Sequence, residues 1–176
     1  MSVDFQGLVA LAEVRQIPIE QLINYVENRV AEAYAEFPEA KPKGRCVYNR
    51  LSGEFVIHVP VYDDEGIWVE TIPDNPEGFE AIAESVARKS LKEKMREEAD
   101  NAVIQEFSAS VGDIISGEVQ QGRDENIVYV YLGGRTEGKI PPTEQVKGEV
   151  FKHGDRIKAF VVKVEKGLRG PEITLS

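Results

Sequence analysis

Residues 127–132 read Ile-Val-Tyr-Val-Tyr-Leu, and Val128, Val130 and Leu132 alternate with Ile127, Tyr129 and Tyr131. Successive side chains of a strand point to opposite faces. The aliphatic set therefore suits a barrel interior and leaves the two tyrosines outside. An outward aromatic ring can stack on a nucleic-acid base for ~1–3 kcal/mol. It can equally cover the barrel or face another domain. Arg123, Arg135, Lys139, Arg156 and Lys158 lie in the same part of the chain and could meet phosphates or remain solvated. Lys89, Lys92 and Arg96 stand at helical spacing and share one face. They could touch RNA, or form a solvated face with Glu93 and Glu97 as partners.

Other reactive groups form weaker patterns. Asp63-Asp64-Glu65 offers oxygens for a divalent cation, but aspartate and glycine are also what a hairpin turn prefers, and no further ligand set is visible. His58 and His153 have no spaced cysteine, histidine or serine partner, which argues against a metal site or a catalytic triad. Cys46 is the single cysteine, so an internal disulfide is excluded and the residue reads as a small buried apolar group. No glycine loop of the phosphate-cradling kind is present. The expectation is a protein without catalytic residues, cofactor or metal.

The elements that position these residues are legible from periodicity. Residues 4–15 read as a short helix with Phe5, Leu8, Val9 and Ala12 on one side. Pro18 suits the first turn of a second helix. Its stripe is Leu22, Val26, Val30, Ala33 and Phe37, and Pro38 and Pro42 end it. Residues 45–48 and 55–59 form a hairpin around Asn49-Arg50-Leu51-Ser52-Gly53. A further turn and strand follow at 61–69, where Pro60 implies a sheet edge. A long helix is expected from Asn75 as N-cap, with Pro76 at its first position, to about Phe107. Its stripe shifts from Ile82 and Val86 to Leu91 and Met95, which predicts two halves packing on different partners: the strands, then the N-terminal helices.

After Gly112 the period becomes two. Strands are expected at 113–119, 127–132, 136–140, 155–164 and 172–175, with Gly117 bending the first. Gly133-Gly134 turns the second strand and Pro141-Pro142 leads a short connector. Five strands in so short a stretch describe an OB-type barrel. The fold class is α+β: an N-terminal helical domain with a small antiparallel sheet and a long helix, followed by a five-stranded OB-type β-barrel. The boundary is placed between 1–111 and 112–176.

Charge divides along the same line. The chain has 176 residues, 41% of them hydrophobic, and a net charge of −10. Residues 1–111 carry 11 basic and 21 acidic side chains, whereas 112–176 carry 10 of each. An acidic first segment is a poor phosphate binder and suits a basic protein surface, although such charge also serves solubility. The apolar fraction excludes a largely disordered chain. The absence of a signal peptide or a long apolar run points to the cytoplasm.

Several motifs resemble known families. Gly112-Asp113-Ile114-Ile115-Ser116-Gly117-Glu118-Val119 is similar to the opening of the S1-type RNA-binding module. Gly138-Lys139-Ile140-Pro141, Gly154-Asp155-Arg156-Ile157 and Ile173-Thr174-Leu175-Ser176 fit its later strands. Upstream, the segment from Arg88 to Phe107 with Met95-Arg96-Glu97-Glu98-Ala99 looks like the helix that enters this module in the NusA family. Arg50-Leu51-Ser52-Gly53-Glu54-Phe55 looks like a hairpin of that family's N-terminal domain. The resemblance spans essentially the whole chain.

It implies a non-catalytic factor of transcription elongation, termination and antitermination. Such a factor docks on the flap of the RNA polymerase β subunit, near the RNA exit channel, and contacts nascent single-stranded or hairpin RNA. It also implies that the chain is a fragment, since the family continues into two KH-type RNA-binding domains absent here. In the S1 pattern Tyr129 matches a surface aromatic used for RNA. A second aromatic is replaced near Asn126 and a histidine near Pro141, so RNA binding by this barrel alone should be weak. Two readings compete: an S1-barrel accessory protein of translation or RNA decay, and a metal-dependent nuclease using the acidic turn.

Overall fold

The computed structural model describes residues 4–176. Its elements run α1 (Phe5–Val14), α2 (Ile19–Ala35), β1 (Arg45–Asn49), β2 (Glu54–Tyr62), β3 (Trp68–Asp74), α3 (Phe79–Ser108), β4 (Ile114–Gln120), β5 (Val128–Gly133), β6 (Thr136–Ile140), a 3-10 turn at Pro142–Glu144, β7 (Arg156–Gly167) and β8 (Gly170–Leu175). This is the expected α+β fold. The chain divides into two compact units, Met1–Glu98 and Ala99–Ser176, and α3 runs from the first into the second. No helix among the described residues is long and apolar enough to cross a membrane.

The first unit packs two short helices and the front of α3 against a three-stranded antiparallel sheet of order β1-β2-β3. Asp4 caps α1 by accepting the Gly7 N–H at 2.6 Å. The stripe of α2 is buried at Leu22, Ile23, Val26, Val30 and Tyr34. Its last member is Tyr34 rather than Ala33, and Phe37 lies past the helix end as a partly buried neighbour. Tyr34 belongs inside because its ring meets Phe79 edge-on, centroids 5.3 Å apart. Its hydroxyl donates to Asp74 at 2.5 Å and accepts the Lys41 N–H at 2.9 Å. Lys41 Nζ closes this clamp on Asp74, also at 2.5 Å. Those two hydrogen bonds, Lys41 first, hold the Asp74 carboxyl below the usual aspartate range. Cys46 is buried, and burial followed by the Glu27 carboxylate pushes its thiol to about 12. It packs as an inert apolar group, as its place in the strand pattern implied.

Pro60 lies in β2, the central strand, but the β1 ladder stops at the pair Arg45↔His58, so at Pro60 only β3 is a neighbour and the sheet is locally an edge, as expected. Two expectations for the long helix change. The long helix starts at Phe79, not at Asn75-Pro76. Gly78 has φ +83°, which no helix accommodates, and β3 extends to Asp74. The helix's inward stripe is Phe79, Ala83, Ala87, Ser90 and Leu91. Ile82 is 39% exposed. Ala83 and Ala87 are buried on this face, and Met95 also packs on this first core. The rear of α3 does not supply that core: Val103 and Phe107 pack against the second one.

The second unit is a closed barrel of order β4-β5-β6-β8-β7, all antiparallel except β6 with β8. Its centre is Val130, Ile140, Ala159, Val161, Ile173 and Leu175, with Val128 and Leu132 partly buried beside them. Gly117, the expected bend, lets β4 press on β5: a Cβ there would stand 2.8 Å from the Tyr131 carbonyl oxygen.

Candidate nucleic-acid interface

The barrel's outward face is set by the phase of β5 and by the register of its two neighbours. Val130 is fully buried, so Tyr129 and Tyr131 point outward. Tyr129 pairs with Gln120 on β4 and with Lys139 on β6. Tyr131 pairs with Glu118 on β4 and with Glu137 on β6. The two rings therefore stand in different electrostatic surroundings. An amide and an ammonium flank Tyr129, which suits a stacked base and its phosphate. Two carboxylates flank Tyr131, which repel a phosphate. Tyr131 is the more exposed, at 42%, and its hydroxyl donates to the Gly134 carbonyl at 3.2 Å.

Tyr129 is held from below. A Cβ built on Gly122 would come within 1.7 Å of the Tyr129 ring, so the bare backbone of residue 122 lies directly against it. Glycine is needed here for closeness rather than for an unusual φ. The loop carrying Gly122 is tied down at two points. Asp124 Oδ1 accepts the Asn126 N–H at 2.9 Å. Gln145 Nε2 donates to the carbonyls of Asn126, at 2.7 Å, and Ile140, at 2.9 Å. Sequence reasoning missed Gly122 and Gln145. The only available signal for Gly122 was a glycine a few residues before the strand, and a lone glutamine after a Pro-Pro pair carries none.

The candidate cations do not form one cluster. Lys139 lies beside Tyr129 and faces Glu172, with Nζ to Oε1 at 3.9 Å. Arg156 opens β7 opposite Glu118, and Lys158 stands opposite Ser116. Arg123 is exposed in the loop before β5 and Arg135 in the turn after it, at opposite ends of that strand. Lys89, Lys92 and Arg96 lie on α3 within the first unit. All three are exposed, and Lys89 lies 3.9 Å from Glu93. Glu93 is also 3.9 Å from Arg29, so the carboxylates of this face are shared within the unit. The acidic turn is a turn: Asp63 Oδ1 accepts the N–H groups of Glu65, at 3.0 Å, and Ile67, at 2.8 Å.

Comparison with known proteins agrees with this architecture. The S1 RNA binding domain family matches residues 108–176. Across 182 residues the chain is 32% identical to the transcription termination/antitermination protein NusA of Mycobacterium bovis, covering all of this chain and 52% of the relative. It is 36% identical over 192 residues to the Bacillus subtilis protein of that name, covering 97% of this chain and 51% of the relative. The Thermus thermophilus protein of that name is 32% identical over 104 residues, covering 59% of this chain and 27% of the relative. The chain thus spans about half the length of the first two.

Proposed function

We propose a function from one premise: this chain is a NusA-like protein, and residues 108–176 are its S1 RNA-binding domain. Those similarities support a role in transcription and RNA binding. The reading we favour is a non-catalytic elongation, termination and antitermination factor of the cytoplasm. In it the acidic first unit, within the segment 1–111, docks on RNA polymerase at the flap of the β subunit. The barrel, residues 112–176, meets nascent single-stranded or hairpin RNA. The observation that carries the RNA half is the outward Tyr129 between Gln120 and Lys139, backed by Gly122. Tyr129 stacks a base, and Lys139 takes an adjoining phosphate.

Fluorescence anisotropy with labelled single-stranded RNA tests this half. Tyr129→Ala should weaken binding about tenfold, the loss of one stacked base. Equal affinity for the variant and the native chain would remove Tyr129 from the site. The polymerase half is tested by immobilising the chain and passing core RNA polymerase over it. Retention that falls as salt rises is expected for an acidic surface on a basic one. Failure to retain the β subunit at low salt would overturn it.

A further inference from the structure

β7 presents a second outward row that the tyrosine site does not use. Ala159 and Val161 point into the core, so Arg156, Lys158 and Phe160 alternate on the outer side. All three are exposed, Phe160 at 43%, an unusual setting for a phenylalanine on a barrel strand. Across β4 the register pairs Arg156 with Glu118, Lys158 with Ser116 and Phe160 with Ile114. Neither Arg156 nor Lys158 has an ion-pair partner among the described residues. Two unpaired cations and an uncovered aromatic ring thus follow one another at about 7 Å, twice the rise of a strand residue. That step is close to the separation of successive phosphates on an extended single strand.

We propose that this row is a second stretch of RNA-binding surface. Arg156 and Lys158 take phosphates, and Phe160 stacks a base. The inference rests on the reading of Tyr129 as an RNA contact and extends it. From Tyr129 to Phe160 the path crosses two strands and runs six residues along them, about 22 Å on a flat sheet. That is about three steps of about 7 Å, the length of four nucleotides and the low end of the ~4–16 an OB barrel engages. On β4 such a path passes Gln120, Glu118 and Ser116 and leaves Tyr131 to one side, and Arg156, directly opposite Glu118, offsets that carboxylate. An apolar protein partner covering Ile114 and Phe160 would leave the two cations without a role, which is why RNA is favoured.

The test uses the whole chain with a uridine dinucleotide, too short to span that path, and a uridine oligomer of about twelve nucleotides, which lies within the range. Phe160→Ala should weaken the longer oligomer about five- to tenfold and leave the shorter, held at Tyr129, unchanged. Phe160→Trp should bind the longer one like the native chain. Lys158→Gln should reduce the slope of log affinity against log salt by about one for the longer oligomer. If Phe160→Ala binds both oligomers natively while Tyr129→Ala weakens both, the β7 row belongs to another partner and the Tyr129 reading stands. If neither variant changes either affinity, both readings fall. If Phe160→Ala melts early, Lys158→Gln decides, and an unchanged salt slope overturns the proposal.

Discussion

Two tyrosines that look equivalent in sequence separate once their cross-strand neighbours are known. Both point outward, and that much was legible because Val128, Val130 and Leu132 alternate with them. Which of them could meet a phosphate was not legible, because the register that sets Glu118 and Glu137 beside Tyr131 depends on the loop between β4 and β5 and on the shift at Tyr131/Gly133, which alternation alone does not give. Tyr131→Ala should therefore change single-stranded RNA affinity less than about twofold, against the tenfold expected at Tyr129. The backing of Tyr129 supplies a further expectation. Gly122→Val should displace the ring and weaken RNA binding toward the level of Tyr129→Ala. The barrel's melting temperature should fall by only a few degrees, since the loop is exposed. Anisotropy and circular dichroism on the same sample check both.

At the scale of elements, α3 shows what periodicity can and cannot reveal. Its existence and rough end were readable; its start and inward face were not. The sequence signal was carried by large residues, Ile82 and Val86, whereas the structure buries Phe79, Ala83 and Ala87. Alanine weighs little in an apolar pattern, so an inward stripe built on Ala83 and Ala87 leaves a faint signal in the sequence. Phe79→Ala should destabilise the first unit by about 3–5 kcal/mol, and Ile82→Ala by well under 1 kcal/mol, in urea unfolding. The Asp74 clamp ties the end of β3 to α2 and to Lys41. Its carboxyl is held below the usual aspartate range, so its contribution is present above the unfolded value, near 4, and disappears as pH falls through the folded one. Asp74→Asn should cost about 1 kcal/mol at neutral pH, discounted because Lys41 is half-exposed. The gap between variant and native chain should close as pH falls below about 4.

At the scale of the molecule, charge and fold divide the labour. The whole excess of −10 lies in residues 1–111, and a neutral barrel follows. The charge division and the two-part architecture were legible from composition and from the change of period near Gly112. The hand-over of Val103 and Phe107 to the barrel core was not, because a helix pattern does not say which core it serves. RNA affinity should fall with salt along a shallow slope of only a few charges, reflecting Lys139, Arg156 and Lys158 rather than a continuous basic patch. The most direct test of the account is photo-crosslinking of the whole chain to single-stranded RNA containing 4-thiouridine, with the adducts mapped by mass spectrometry. The account predicts adducts on the barrel's outward strands, at Tyr129 and its β4 and β6 neighbours and along β7. Adducts confined to the acidic first unit, with none on the barrel, would contradict it.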